Sequence, residues 1–319
     1  MGSCGYKVVD VAYIFPGQGS QYVGMGKELC EAYPEAKEIF DKGNAVLKFD
    51  LTKLCFEGPK DELTSTANSQ VAILTHSIAS LKVLEKNFPE KFIPKFTLGL
   101  SLGEYTALIA SECLNLEDGL KLVRKRGQLM QAACEKNPGK MASIIGMDTL
   151  PLEKLCKGFG CEIANLNCPG QVVISGSSSA VELTANMAKE KGAKRAIMLD
   201  VSGAFHSSLM TPAKEKLEQE INKTTFNRPK YPIISNVTAK PTEDPEEIKQ
   251  NLITQLNTKT LWNDSIQYVA SQGIKTYLEI GPGTVLKGLL RKIDKVLNVI
   301  NLEKSLDFAT LQTEGSPQA

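Results

Sequence analysis

Gly99-Leu100-Ser101-Leu102-Gly103 sets a serine between two glycines, each two residues away. That spacing is the nucleophile-elbow pattern, which requires a strand before it and a helix after it. Both are legible here: "KFTLGL" is a short strand-like run, and the segment after Ser101 continues as a helix. The glycines let the backbone turn tightly, and a helix N-terminus presents free N–H groups. The N–H of Leu102 would then stabilise an oxyanion. The competing interpretation is a serine that caps a helix. A serine nucleophile needs a base, and the chain has two histidines. His76 lies in "VAILTHSIASL", inside a helical pattern, and reads as structural or surface. His206 lies in "LDVSGAFHSSLM", just after a strand and beside Gly203, a loop placement typical of catalytic groups. A Ser–His pair is therefore Ser101 with His206. No acid stands out as a third member, so a dyad is expected, its imidazole oriented by a backbone carbonyl.

Arg126 is the third residue of interest. In the helix expected over 115–135, Leu122, Leu129, Met130 and Ala133 share its face, while Lys121, Arg124, Lys125 and Gln128 point elsewhere. Its neighbours three and four residues away are Leu122, Val123, Leu129 and Met130, so no carboxylate of that helix pairs with it. A buried charge without a partner costs several kcal/mol. Either the side chain reaches solvent or a distant acid, or its partner is a substrate carboxylate gripped bidentately.

The elements that must position these residues alternate. "VVDVAYIF" is a buried-strand run stopped by "PGQGSQYVGMG"; helix-like stretches follow near 23–42 and in "SQVAILTHSIASLKVLEK". "NLEDGLKLVRKRGQLMQAACEK" is a helix with Asn115 as N-cap and Glu117 and Asp118 at the positive end of its dipole. Strands alternating with helices imply a parallel sheet covered on both faces. Between about 137 and 199 the rhythm becomes βαββαβ, which fits a ferredoxin-like unit. The expected fold is thus α/β, with residues 137–199 as a small domain inserted into a large one formed by 1–136 and 200–319. "PIISNV" and "KTYLEI" read as later strands, and "TLQTEGSPQA" as a frayed polar end.

Composition bounds the function. With 42% hydrophobic and 23% charged residues, the 319-residue chain is ordinary for a globular protein. A net charge of +1 gives no pull toward nucleic acid, and an acidic partner must be met by a local basic patch. Lys189, Lys191, Lys194 and Arg195 form one candidate cluster, Lys287, Arg291 and Lys292 another. The eight cysteines show no CxxC pair and no histidine at zinc-ligand spacing, so they read as reduced thiols of an intracellular protein, with no metal. No apolar run reaches the roughly 18 residues of a membrane span, and "MGSCGYKVVDVAYIF" lacks a signal-peptide layout. "FPGQGSQYVGMG" invites a dinucleotide reading, but after Gly17 and Gly19 the third glycine position holds Tyr22.

Six stretches together carry a more specific signal: "FPGQGSQ" at 15–21, "SLGEY" at 101–105, "RGQLMQ" at 126–131, "GAFHSSLM" at 203–210, "QLNTKTLW" at 255–262 and "EIGPG" at 279–283. In order and content the chain resembles the malonyl-CoA:acyl carrier protein transacylases and the wider acyltransferase family of fatty acid and polyketide synthesis. The resemblance implies an α/β-hydrolase-like large domain with a ferredoxin-like insert. It implies Ser101 as nucleophile, His206 as base, and Gln18 with Leu102 as the oxyanion hole. Arg126 would bind the malonyl carboxylate. Gln255 would orient His206 through its carbonyl, and Met130 and Phe205 would complete the substrate site. Many members have histidine where this chain has Leu100, which removes a polar neighbour of the elbow. "GAFH" resembles the malonyl-selective form of the signature, with Phe205 crowding the α-carbon.

The implied activity is malonyl transfer from malonyl-CoA to the phosphopantetheine thiol of acyl carrier protein, through a malonyl-serine, supplying fatty acid synthesis. The coenzyme A thioester enters as substrate, with no cofactor. The implied setting is a cytoplasmic monomer of bacterial type, or an organelle for a eukaryotic mature chain, away from nucleic acid and membrane. The alternatives are an acyltransferase serving a polyketide synthase, a serine hydrolase or thioesterase, and a binding module without turnover.

Overall fold

The computed structural model describes residues 9–313 and contains two sheets. The strands are β1 Val9–Phe15, β2 Phe92–Gly99, β3 Gly139–Ile145, β4 Cys161–Cys168, β5 Gln171–Ser177, β6 Arg195–Met198, β7 Ile233–Ile234, β8 Pro241–Thr242, β9 Thr276–Ile280 and β10 Asn298–Leu302. The larger sheet runs β10-β9-β1-β2-β7-β8 and is parallel except for the β7–β8 pair. The smaller sheet runs β4-β5-β3-β6, all antiparallel. With helices Thr149–Phe159 and Ser178–Glu190 between its strands, it has the βαββαβ order and strand arrangement of a ferredoxin-like unit.

β1 explains why its sequence is apolar without alternation. Val11, Tyr13 and Phe15 pack into one core, Ala12 and Ile14 into another on the opposite face. A parallel strand covered on both sides needs apolar residues in both registers. The first core also receives the helix Thr66–Asn87, whose residues from Ser69 to Leu81 are buried without interruption. The helix Leu116–Lys136 packs against it and starts as its sequence indicates, with the Asn115 side chain accepting from the Asp118 N–H at 2.8 Å.

Three expectations change. The helix near 23–42 is two helices, Lys27–Ala32 and Pro34–Leu47. Pro34 starts the second, and Tyr33 before it is extended at φ −132°, ψ 110°, the conformation that a following proline imposes. The "PIISNV" strand shortens to Ile233–Ile234, because Ser235 and Asn236 turn away to make other bonds. The end of the chain is helical over Ser305–Thr313, so "TLQT" continues a helix; the rest of that polar tail lies outside the described residues, as does Cys4. The seven described cysteines are free thiols. Among the described residues no helix is long and apolar enough to cross a membrane.

β1 and β2 are neighbours in register, Phe15 beside Gly99, so their C-terminal ends deliver Pro16-Gly17-Gln18 and Leu100-Ser101-Leu102 side by side. The helix Leu102–Ala110 leaves this corner so steeply that a Cβ on Gly103 would sit 2.1 Å from the Phe15 carbonyl oxygen. That oxygen belongs to backbone and cannot yield cheaply. Gly103→Ala should therefore cost about 1–3 kcal/mol or more of stability, as overpacking does. Urea unfolding would measure it, and a midpoint equal to wild type would mean that the corner is looser than described.

Candidate active site

Ser101 sits at φ 53°, ψ −98°, a strained conformation for a residue other than glycine. Asn236 supports the strain from two sides. Its Oδ1 accepts from the Ser101 N–H at 2.7 Å, and its Nδ2 donates to the Gly99 carbonyl at 2.7 Å. β7 ends before Asn236, whose backbone N–H goes to Glu104 Oε2 and whose carbonyl accepts from the Leu261 N–H instead of from a neighbouring strand. Leu102 is the first residue of the following helix, so its N–H has no partner within the helix ladder.

His206 meets Ser101 from the loop after β6. Its Nε2 lies 2.8 Å from Ser101 Oγ, and its Nδ1 lies 2.9 Å from the Gln255 carbonyl oxygen. A carbonyl only accepts, so Nδ1 carries the proton and Nε2 is left to accept from the serine. The imidazole is therefore oriented by backbone, and the third member of the arrangement is not an acid. His206 is 4% exposed, and its ring is held down to about pKa 4, first by burial and then by the Arg126 charge. The imidazole is accordingly neutral at pH 7.

Arg126 is 1% exposed and makes no hydrogen bond to a carboxylate. Its guanidinium donates to Gln70 Oε1 at 2.7 Å, Ser101 Oγ at 2.9 Å and Gln255 Oε1 at 3.0 Å, and it lies over the Tyr105 ring with 5.1 Å to the centroid. Its Nε has no partner. Burial lowers its pKa, yet a guanidinium remains charged at neutral pH. Gln255 completes the network. Its amide donates to Ser101 O at 3.1 Å and to Glu104 Oε2 at 2.8 Å. The same carboxylate oxygen accepts from the Asn236 N–H at 3.1 Å. Burial pushes Glu104 up to about 7 against these lowering bonds.

The cavity in front of Ser101 has a volume of about 240 Å³. Gln18, Ser101, Leu102, Arg126, Met130, Phe205 and His206 all line it, so seven of the eight residues expected from sequence converge. Gln255 does not; it is fully buried behind Ser101, a place for support rather than substrate contact. Leu100 lines the wall with Val285 and Leu289, so the elbow's neighbour is apolar. His76 is buried in the Thr66–Asn87 helix and lies outside the cavity. Sequence reasoning passed over Gln70, Glu104 and Asn236. Glu104 had a signal, a lone acid in the short, mostly apolar helix after the elbow; Gln70, which follows Asn68 and Ser69, and Asn236, which ends a strand, had none beyond their polarity. Of the basic clusters, Lys189, Lys191, Lys194, Arg195, Arg291 and Lys292 are exposed and Lys287 is half-buried. Lys292 reaches across to Gln171 Oε1 on β5 at 2.8 Å.

The site can thus hold a neutral base on a strained serine, with backbone N–H groups nearby and one buried cation facing the same space. That is acyl transfer chemistry with a place for a second anionic group.

Comparison with known proteins agrees. The sequence pattern of the acyl transferase domain matches residues 12–302. The malonyl CoA-acyl carrier protein transacylase of Bacillus subtilis (strain 168) is 47% identical over 295 residues, covering 91% of this chain and 92% of that protein. The crystal structure of acyl-carrier-protein-S-malonyltransferase from Bartonella henselae superposes with a TM-score of 0.91 at 40% identity, covering 97% of this chain and all of the other. A type II PKS acyl-carrier protein in complex with its malonyl-transacylase gives 0.92 at 36%, covering 96% and 99%. With its serine corner, its buried arginine and likeness over nine-tenths of its length to proteins of this kind, the chain belongs to the acyl transferase family, among the malonyl CoA-acyl carrier protein transacylases.

Proposed function

We propose that this protein carries a malonyl group from malonyl-CoA to the phosphopantetheine thiol of an acyl carrier protein, through a malonyl ester on Ser101, and so supplies fatty acid synthesis. Residues 137–199 would form a small domain inserted into the large one, and the chain would act as a monomer. The observation that carries the reading is the buried Arg126 guanidinium, 2.9 Å from the nucleophile's oxygen and without a carboxylate hydrogen-bonded to it. A malonyl thioester brings both a carbonyl for Ser101 and a carboxylate for Arg126.

In this reading Ser101 Oγ attacks the thioester carbonyl while His206 Nε2 takes its proton. The carbonyl oxygen turns toward the N–H groups of Leu102 and Gln18 as its charge develops. Collapse expels coenzyme A, and the imidazolium returns the proton to the leaving thiolate. The carrier's thiol then repeats the sequence in reverse and frees Ser101. Thioester is exchanged for thioester, so no energy source is required. Phe205 and Met130 form the apolar wall beside the malonyl methylene. A polyketide carrier protein would use the same residues, and the partner set distinguishes the two settings.

Arg126 also tunes the base. In the free protein its charge depresses His206. A bound carboxylate neutralises that charge, so the imidazole becomes more basic once malonate is in place. A base must be unprotonated to act, and protonation sets in as pH falls through its pKa. The rate constant kcat/KM for acylation, which reports the free protein, should therefore lose activity only as pH approaches about 4. The acid limb of kcat, which reports the complex, should lie higher for malonyl-CoA. Coincident limbs for kcat and kcat/KM would remove this coupling.

The direct test is intact mass after mixing with malonyl-CoA. Wild type should gain one malonyl group and lose it again when phosphopantetheine-bearing carrier protein is added. Ser101→Ala should gain none while keeping its fold. A malonyl adduct on Ser101→Ala, or an ester that water discharges as fast as the carrier does, would contradict the transfer reading.

A further inference from the structure

His206 occupies φ 56°, a left-handed backbone conformation that only its surroundings can maintain. Gln255 and Ser101 hold its ring, but its own chain segment needs a separate anchor. Two residues on, the short helix Ser208–Met210 begins. The Ser208 N–H and the Ser208 hydroxyl both donate to a single oxygen, Glu162 Oε1, at 2.9 and 2.6 Å. Glu162 lies 46 residues earlier, on β4 of the small sheet. Its carboxylate serves as an N-terminal cap supplied from β4, at the opposite edge of the small sheet from β6, the strand that leads into this segment.

The same strand also grips the other support of the histidine. Leu166 N–H donates to Thr260 O at 2.9 Å, Thr260 N–H donates to Ala164 O at 2.8 Å, and Asn165 Nδ2 donates to Thr260 Oγ1 at 2.6 Å. Thr260 follows by five residues the Gln255 whose carbonyl orients the ring. β4 therefore fastens the segment that carries His206 and the segment that aims it. Only the first fastening depends on one side chain.

We infer that Glu162 is a positioning residue for His206: from the small sheet it fixes the Ser208 turn and so sets where the base meets Ser101. The inference rests on the Ser101–His206 pair proposed above, but not on the identity of the acyl donor. Malonyl carboxylate, Arg126 and the cavity play no part in it. The charged groups near the ring are Arg126, from the Leu116–Lys136 helix, and Glu104, behind Gln255; neither is altered by changing Glu162.

A sulfonyl fluoride that modifies an activated serine reads the pair without any malonyl donor. The rate of Ser101 sulfonylation would be followed by intact mass across pH for wild type, Glu162→Ala and Glu162→Gln, beside acylation by malonyl-CoA. Glu162→Gln keeps an oxygen acceptor and should stay near wild type. Glu162→Ala should react roughly tenfold more slowly, the order of loss expected when a reacting group is misplaced by a fraction of an ångström. Its acid limb should rise toward the ordinary imidazole range, because a loosened ring gains water. Amide exchange at Ser208 should quicken in the alanine variant alone. Wild-type rates with an unmoved acid limb in Glu162→Ala would overturn the inference, as would a glutamine variant as impaired as the alanine one. Wild type that reacts with the sulfonyl fluoride yet refuses malonyl-CoA would sink the donor assignment and leave the positioning role standing.

Discussion

The site depends on one constraint: a guanidinium must stay charged in a place that water hardly reaches, without a carboxylate hydrogen-bonded to it. Taking such a charge out of water is costly, and uncharged oxygens offset only part of the cost. Gln70 and Gln255 supply those oxygens, and Tyr105 supplies a ring face. Had a carboxylate held the guanidinium directly, the charge would be satisfied and of little use to a ligand. Glu104 stands one step back, joined to Arg126 through the Gln255 amide. Burial raises the Glu104 pKa to about 7, against the lowering effect of its bonds from Asn236 and Gln255 and of the Arg126 charge.

Gln255 is where this electrostatic constraint meets the chemistry. Its backbone oxygen fixes the tautomer of His206, its side-chain oxygen takes Arg126, and its side-chain nitrogen holds the Ser101 carbonyl. Ser101, His206 and Arg126 are therefore spaced by one residue on the helix Pro245–Gln255. Asn236 fixes the Ser101 N–H as Gln255 fixes its carbonyl, so the strained corner is held at both peptide bonds. The glycines remove what would collide, and the amides supply what must bind. The arrangement is positioned in advance, and little reorganisation is left for the moment of reaction.

How much of this is legible in the sequence depends on whether the reason for a residue is local. The Ser101 corner is local: strand, two glycines and helix lie within a dozen residues, and steric demands dictate them. The Arg126 stripe is local too, since helical spacing alone puts the cation on an apolar face. His206 follows by elimination from a chain with two histidines. Gln70, Asn236 and Glu104 act through partners 56, 135 and 151 residues away. No period or propensity encodes such a distance, and only the packed sheet brings the partners together. The three stretches that fold differently from expectation divide along the same line. Pro34 was visible as a breaker, whereas the early end of the β7 strand follows from a tertiary demand on Asn236.

If the buried Arg126 charge is kept free for a substrate carboxylate, as proposed, its loss must weigh on a donor with a carboxylate and not on one without. The most direct measurement is the acylation rate of Ser101 by malonyl-CoA and by acetyl-CoA, in wild type and in Arg126→Ala. The malonyl rate should fall by ~2–5 kcal/mol of transition-state binding, the range for breaking a buried charge pair. The acetyl rate should fall far less, or rise as the crowding charge leaves His206. Equal losses for both donors would rule out the carboxylate role and leave Arg126 as a structural residue of the corner.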